Sequence, residues 1–133
     1  PLDTQTLEPF DTYPPITGVP DKFWDISIKG MNLVNHGKKG TARRAFQKLG
    51  YQSAGKSGTA QVFGLKEDEE YDAEQIAEHL RDHALFTGFA PVKDPEVIAT
   101  IVLENAGGGS TNGAPVVRKI FDKVILNKED EAQ

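Results

Sequence analysis

The residues with the clearest potential for chemistry lie in the stretch GYQSAGKSGTAQVFG, residues 50–64. A match to G-x-x-x-x-G-K-S, the pattern of a nucleotide-binding phosphate loop, begins at Gly50 and ends with Lys56 and Ser57. The overlapping K-S-G-T, residues 56–59, offers an ammonium group and two hydroxyls. Groups of these types bind a carboxylate when they are held in a fixed array. The stretch therefore poses a choice between a phosphate site and a carboxylate site.

The elements predicted around this stretch do not suit a phosphate site. A phosphate loop follows a buried strand and leads into a helix that starts at the lysine, so that helix N–H groups meet the phosphates. Here the preceding segment 40–48 is predicted to be a short helix or turn, and Ala60 to Phe63 are predicted to be a strand. Gly58 is also a poor residue for a first helical turn. Glu104, at the end of a later strand, is only a weak candidate magnesium ligand, so the pattern favours a carboxylate.

Length and composition indicate one soluble unit. The chain has 133 residues, of which 38% are hydrophobic and 26% charged, as in an ordinary globular domain. The net charge of −5 argues against a general nucleic-acid binder. The absence of cysteine excludes disulfides and cysteine-ligated zinc. No apolar run is long enough for a membrane helix, and we expect any targeting segment to precede Pro1.

A helix is predicted at 21–36, after an extended, proline-rich lead-in at 1–20. Asp21 is a possible N-terminal cap, and Gly37 can end the helix in the left-handed conformation. The apolar residues near helical spacing are Phe23, Trp24, Ile28, Met31 and Val34. The two large aromatic residues of this set are expected in the core rather than stacked on a ligand. The basic residues that follow are predicted to be a solvated helix end rather than a patch for an anionic polymer: Lys38, Lys39, Arg43 and Arg44.

Two strands are predicted at 83–90 and 96–105, joined by a turn at PVKDP. The second strand is almost continuously apolar, which predicts burial on both faces. The segment 65–82 is a charged excursion with a short helix predicted at 73–82. It is either solvated scaffolding or a lid over a neighbouring site.

A second amphipathic helix is predicted after a glycine-rich loop, with Pro115 in its first turn. The three glycines at 107–109 are interpreted as a tight turn rather than an anion site. Residues 127–133 form a charged tail that is expected to fray. Consecutive strands with short links predict an antiparallel sheet with helices packed on its face, an α/β protein of the α+β type.

Two histidines raise the possibility of a metal site. His79 and His83 are four residues apart, with Glu78 and Asp82 close by, and such a pair can bind zinc when it lies on one helix face. No third ligand is identified, and His83 begins a predicted strand. Ordinary surface or junction histidines are therefore the favoured interpretation.

K-S-G-T on a strand resembles the third motif of the penicillin-recognising serine D,D-transpeptidases. Further segments follow in the order typical of the last part of a class B penicillin-binding protein, and they are most similar to its elongation-specific branch in Gram-negative bacteria. These segments are WDISIKGMNLV, GTARRAF, AGKSGTAQVFGL, HALFTGFAP, VIATIVLENAGGG and APVVRKIFDKVIL. The resemblance covers residues 21–126. It implies that 1–133 is the C-terminal portion of a transpeptidase domain, with a partial β-lactamase-like fold.

The resemblance also implies a role for each residue of the motif. The hydroxyls of Ser57 and Thr59 would hold the terminal carboxylate of a D-Ala-D-Ala peptide, and Lys56 would supply positive potential. Gly58 would leave space for the substrate to lie along the strand edge as an added strand. The backbone N–H of Thr59 would be one of two oxyanion-hole donors.

Two other family motifs have only chance matches here. S-A-G-K at 53–56 fits the nucleophile motif S-x-x-K, but it overlaps the K-S-G box, and Ser53 leads into a strand rather than a buried helix. S-T-N at 110–112 has the letters of S-x-N but follows the third motif instead of preceding it. We therefore expect the nucleophile to lie upstream of Pro1, and this chain alone to be inactive.

The partners implied by the resemblance are peptidoglycan stem peptides, β-lactams and the N-terminal remainder of the domain, whose strands would pair beside 96–105. The complete enzyme would be anchored to the inner membrane and face the periplasm, where it would work with a glycan polymerase and other elongation-complex proteins. No cofactor, metal or nucleic acid is expected. The alternative is a penicillin-binding-like module that binds peptides without catalysis.

Overall fold

The computed structural model describes residues 14–62 and 78–131, the side chains of 78 and 127–131 excepted. A 3-10 turn, Glu78–Leu80, precedes the second strand, and a π-helical turn, Gly109–Gly113, precedes the second helix. The predicted α+β class and antiparallel sheet are confirmed. The helices and strands, in chain order, are α1 (Asp21–His36), β1 (Ala54–Ala60), β2 (His83–Ala90), β3 (Val97–Leu103) and α2 (Ala114–Glu131).

The three strands form one antiparallel sheet in the order β1-β2-β3. Residues directly opposite each other in such a sheet project from the same face. The register therefore defines an inner face, which carries Phe86 and its opposite neighbours Ser57 and Ile101. It also defines an outer face, which carries Thr87 and its opposite neighbour Lys56.

The core lies on the inner face of the sheet. Phe86 stacks on Phe46 with ring centroids 5.8 Å apart, and Phe46 also contacts Phe121 of α2 at 6.2 Å. These three rings and Val117 are almost completely buried. Aromatic groups of this size account for much of the burial energy in a small core. The inner face is therefore what holds β2 and α2 together.

The outer face is open and apolar. Ile98 and Val102 of β3 expose 75% and 55% of their surface. The prediction that β3 is buried on both faces is therefore wrong for this chain. A run of apolar residues shows that both faces of a strand can be buried, but burial also needs an element that packs on each face. More than half of the surface of each side chain is left uncovered by residues 14–62 and 78–131.

The first half of α1 is open in the same way. Phe23 and Trp24, expected in the core, expose 51% and 41% of their surface, so that expectation is wrong. Ile26 is also exposed, at 65%. Burial is confined to the last turn, where Asn35 is completely buried. The helical spacing predicted an apolar face correctly, but the only completely buried side chain of α1 is near its C-terminal end.

The bounds predicted for α1 are correct, but the predicted caps are not. Pro20 is the N-terminal cap residue, and Asp21 is the first helical residue, where its carboxylate suits the helix dipole. Gly37 does follow the helix, but with φ −67° and ψ 152° it is extended rather than left-handed. The basic residues beyond it are exposed, as predicted.

The first strand was placed too late by the sequence pattern. It ends at Ala60, where the prediction had it begin, and Phe63 lies outside the described residues. The segment 65–82, expected to be scaffolding or a lid with a short helix at 73–82, also falls mostly outside them, with only the turn Glu78–Leu80 and the residues after it described. At the other end of the chain, α2 continues to Glu131, into the segment expected to fray.

The segment 40–48 is a series of tight turns rather than a helix, and a polar network ties it and Tyr51 to α2. The Tyr51 hydroxyl donates to Asp122 at 2.7 Å. Arg118 donates to Asp122 at 3.0 Å and to the carbonyl oxygen of Ala45 at 2.9 Å. Burial, helped by the Asp122 carboxylate, raises the pKa of Tyr51, so the phenol stays a donor. The network fixes the chain just before β1.

Candidate substrate-carboxylate site

The K-S-G-T motif lies in the middle of β1, at one edge of the sheet. Its neighbour on one side is β2, and within the described parts of the chain no strand pairs with its other side. The small residues of β1 are explained by packing. A Cβ atom on Gly55 would come within 2.7 Å of the Phe86 ring, so this position must remain a glycine for the ring to pack under the strand. The small residues made the strand hard to predict, and at Gly55 the lack of a side chain is needed for core packing.

The motif side chains alternate between the two faces of the sheet. Ser57 and Thr59 lie opposite Phe86 and Ala84, on the inner face, and Lys56 lies on the outer face. Thr59 and Lys56 are exposed, and Ser57 is half-buried. The two hydroxyls and the ammonium group therefore project from opposite faces of β1, and the unpaired edge of the strand lies between them.

The Lys56 ammonium group turns back along its own strand. Its Nζ donates to the carbonyl oxygen of Ser57 at 2.6 Å. This contact holds a positive charge next to the Ser57–Gly58 peptide. Gly58 has open space on the outer face of the sheet, where the nearest atom to an added Cβ would be the Cβ of Leu85 at 3.3 Å. A carboxylate at the edge would meet a charge-assisted donor there.

Sequence reasoning missed a hydroxyl pair beside Lys56. Thr87 lies opposite Lys56 and also opposite Thr100, and the two threonine hydroxyls are 2.7 Å apart on the outer face. Both strands were predicted, but their register was not. With the register known, the pair follows directly from the alternation of side chains in a strand.

The alternative motifs behave as the sequence indicated. Lys56 lies within a strand rather than at a helix N-terminus, which removes the phosphate-loop geometry. Ser53, the serine of S-A-G-K, is completely buried and bonded to α1. Ser110 to Asn112 lie in the π-helical turn before α2, where Asn112 donates to the carbonyl oxygen of Ala106.

The histidines do not form a metal site among the described residues. Nδ1 of His83 accepts a hydrogen bond from the backbone N–H of Asn105 at 2.9 Å. The Asn105 side chain in turn donates to the carbonyl oxygens of His79 and Arg81. The interpretation as junction histidines is therefore supported by their bonds.

Among the described residues, three of the larger concavities lie away from the motif. A groove of about 460 Å³ runs between Ile28 and the outer-face residues Phe89 and Ile98. A second, of about 480 Å³, lies between Arg44 and Thr111, and a third, of about 340 Å³, flanks the end of α1. None of the three is lined by residues 56–59. The candidate site is thus an open strand edge that a further surface would have to close.

The fold and the site can now be compared with known families. They consist of a three-stranded antiparallel sheet, a packed C-terminal helix and K-S-G-T on the edge strand. The sequence profile of the penicillin binding protein transpeptidase domain matches residues 18–123. The chain belongs to this family, which confirms the resemblance drawn from the motifs. No helix in the described ranges has the length and apolar character needed to cross a membrane.

Relatives place the chain more closely within the family. It is 44% identical over 124 residues to the peptidoglycan D,D-transpeptidase MrdA of Haemophilus influenzae, covering 91% of this chain and 19% of that protein. It is also 44% identical over 113 residues to MrdA of Escherichia coli K12, covering 85% and 18%. The chain thus spans about a fifth of the length of these relatives.

Solved structures agree. The chain matches Pseudomonas aeruginosa PBP2, solved in complex with WCK 5153, with a TM-score of 0.71 and 39% identity, over 89% of this chain and 23% of the other. It matches Helicobacter pylori PBP2, solved in complex with MreC, with a TM-score of 0.62 and 28% identity, over 79% and 18%. The similarity to penicillin-binding protein 2 of Gram-negative bacteria is therefore confirmed in both sequence and fold.

Proposed function

We propose that this chain is the C-terminal part of a peptidoglycan D,D-transpeptidase of the elongation type. The complete enzyme is acylated at a serine by a D-Ala-D-Ala stem peptide, releases D-Ala and transfers the peptide to a neighbouring amine. The observation that carries the proposal is K-S-G-T on an edge strand whose far side is unpaired within the described residues. An extended peptide can add to such an edge as a further strand.

Each residue of the motif has a role in this proposal. The hydroxyls of Ser57 and Thr59 bind the terminal carboxylate of the stem peptide or of a β-lactam. Lys56 provides positive potential, and Gly58 admits the peptide backbone. The backbone N–H of Thr59 donates to the oxyanion that forms during acylation, and a donor of this kind typically contributes about 3 kcal/mol to transition-state stabilisation.

The nucleophile comes from a part of the protein outside this chain. Among the described residues, the serine with matching S-x-x-K letters is Ser53, and its hydroxyl is buried and already bonded. The exposed apolar residues of β3 and of the first half of α1 are the surface on which the N-terminal remainder of the domain docks. An edge strand with apolar side chains such as Ile98 would otherwise be prone to aggregation.

Membership of the family supports the following proposal for the cellular setting. The enzyme faces the periplasm, is held at the inner membrane by a segment outside this chain, and works with a glycan polymerase. The H. pylori relative was solved with MreC, which supports an assembly of the same kind here. No cofactor is required for serine acylation and transfer.

The test is acylation of the full-length protein, followed by intact mass after incubation with a penicillin. We expect a stable adduct in the wild type and a rate of adduct formation lower by about 100-fold or more in Lys56→Met. Lys93→Met, which removes an exposed lysine from the β2–β3 turn, is the matched control and should react at the wild-type rate. An unmodified wild-type protein would instead favour a non-catalytic peptide-binding module.

Thr59→Val separates two of the proposed roles. It removes the hydroxyl but keeps the backbone N–H, so it should weaken carboxylate binding while leaving the oxyanion donor in place. We expect a higher KM for penicillin with a smaller change in the limiting acylation rate. Equal losses in both parameters would contradict the division of roles within Thr59.

A further inference from the structure

Three polar side chains on one face of α1 hold the residue that leads into β1. Asn32 donates to the carbonyl oxygen of Ser53 at 2.9 Å, and Asn35 donates to the Ser53 hydroxyl at 2.9 Å. The backbone N–H of Ser53 donates to Nε2 of His36 at 3.0 Å. All three polar groups of Ser53 are thus bonded to the helix. We refer to Asn32, Asn35, His36 and Ser53 as the Ser53 clip.

Two residues of the Ser53 clip are buried in the interior of the chain. Asn35 and Ser53 are completely buried, and buried polar groups persist in proteins when they are hydrogen-bonded. The side-chain amide oxygen of Asn35, Oδ1, is an exception, because it has no partner within the described residues. An apolar contact of the same shape would avoid that cost. What the polar contact adds is direction, because three hydrogen bonds fix the orientation of the Ser53 backbone as well as its position.

The bonding pattern also fixes the state of His36. Nε2 accepts the Ser53 N–H bond and therefore carries no proton, so the ring is neutral and its proton is on Nδ1. The Ser53 hydroxyl lies 3.0 Å from the same nitrogen and can donate to it, because its oxygen already accepts from Asn35. Burial lowers the pKa of His36, and the Ser53 backbone opposes this effect more weakly.

The location of the clip connects it with the motif. Ser53 directly precedes β1, and Lys56 is three residues further along the same strand. Within the described chain β1 is restrained sideways by β2 alone, since its other edge is unpaired. Phe86 supports the strand from the inner face at Gly55. The clip supplies a further restraint, along the strand, at the end where the motif begins.

We propose that His36, together with Asn32 and Asn35, is a positioning residue that sets where the K-S-G-T strand presents its carboxylate-binding groups. The inference rests on the proposed function, because it names the residues that aim the same site. His36 does not touch the substrate. It acts through the Ser53 N–H, so any neutral acceptor of similar reach can replace it, whereas an alanine cannot.

The test compares His36→Gln and His36→Ala in the full-length protein. Gln supplies a neutral acceptor for the Ser53 N–H, and Ala supplies none. We expect His36→Ala to lower the second-order rate constant for penicillin acylation about two- to tenfold, the equivalent of one net hydrogen bond, with the loss mainly in KM. His36→Gln should recover most of the wild-type rate.

A matched control and a second readout keep the inference separate from the proposed function. Ser27→Ala removes a side-chain hydrogen bond from the exposed part of α1, outside the Ser53 clip, so it should leave KM unchanged. Amide hydrogen exchange across Ala54–Ala60 measures positioning without catalysis. It should accelerate in His36→Ala relative to the amides of β3, and return towards the wild-type rate in His36→Gln.

The outcomes are distinct. An accelerated exchange at β1 in His36→Ala, reversed in His36→Gln and absent in Ser27→Ala, supports the positioning role whether or not the protein is acylated. Equal exchange and equal KM in the Ala and Gln variants would overturn it. A wild-type protein that takes up no penicillin, with the exchange pattern intact, would remove the proposed function and leave the clip as a structural element.

Discussion

The two faces of the sheet differ sharply although the same three strands build them. The inner face is closed by Phe46, Phe121 and the rest of α2, so Phe86 is almost completely buried. The outer face carries Ile98 and Val102 in the open, with the Thr87–Thr100 hydroxyl pair between them. The residues of this chain bury the inner face of the sheet, whereas the apolar residues of the outer face stay exposed. The candidate site lies at the edge where the two faces meet.

The largest expected effect is on the inner face. Phe121→Ala in the 133-residue chain should reduce the free energy of unfolding by about 3–5 kcal/mol, because it leaves a cavity among three packed rings. Ile98→Ala, on the outer face, is the matched control and should change it by less than about 0.5 kcal/mol. Urea denaturation of both variants measures the contrast. Equal losses would show that the two faces are equally closed.

A charge on the outer face sharpens the comparison. Ile98→Asp should leave the stability of the isolated chain nearly unchanged and reduce its self-association, measured by analytical ultracentrifugation. In the full-length protein the same substitution should cost about 2 kcal/mol or more, because the N-terminal remainder would bury the charge. If Ile98→Asp is tolerated equally well in both contexts, the proposed docking surface is wrong.

The polar network before β1 should have a smaller effect. Tyr51→Phe removes the hydrogen bond to Asp122 but keeps the ring, and should reduce the free energy of unfolding by about 1 kcal/mol. Ser27→Ala, which removes an exposed hydroxyl bonded to the Phe23 carbonyl, is a control with a change near zero. Thermal unfolding followed by circular dichroism distinguishes the two. A larger loss in the Ser27 variant would contradict the contrast between the tied and open parts of the chain.

The smallest effect is a dependence on pH through His36. Its pKa is lowered in the folded chain, so between that value and the unfolded value of about 6.5 the unfolded state binds more protons. The contribution to stability is therefore complete above the unfolded pKa and is lost as the pH falls through the folded pKa. The urea midpoint of the wild type should fall relative to that of His36→Gln on acidification. Parallel midpoints would contradict this assignment.

Most of the fold could be predicted from periodicity. The bounds of α1 and β2 match the predictions, and α2 begins beside Pro115 as expected. The start of β1 could not be found, because glycine, serine and alanine carry little strand propensity. The glycine at position 55 is required because the Phe86 ring packs against it, and these two residues are far apart in sequence.

The site was predictable in part. K-S-G-T drew attention because its residue types suit a carboxylate, and the family resemblance supplied the roles. The Ser53 clip was missed, although Asn32, Asn35 and His36 have the i, i+3, i+4 spacing of one helix face. Spacing alone does not say what a polar face meets. That required the position of Ser53, which the sequence offered only as the start of a spurious S-x-x-K.

Gly109 ties the last loop to the motif strand. A Cβ atom at this position would run into the carbonyl oxygens of Gly58 and Leu85, so the loop fits against β1 and β2 only without a side chain. A substitution at residue 109 therefore affects β1 and β2 as well as the loop that contains it. Any replacement must push on the backbone of the K-S-G-T segment, so a substitution at residue 109 would displace the proposed carboxylate site without being part of it.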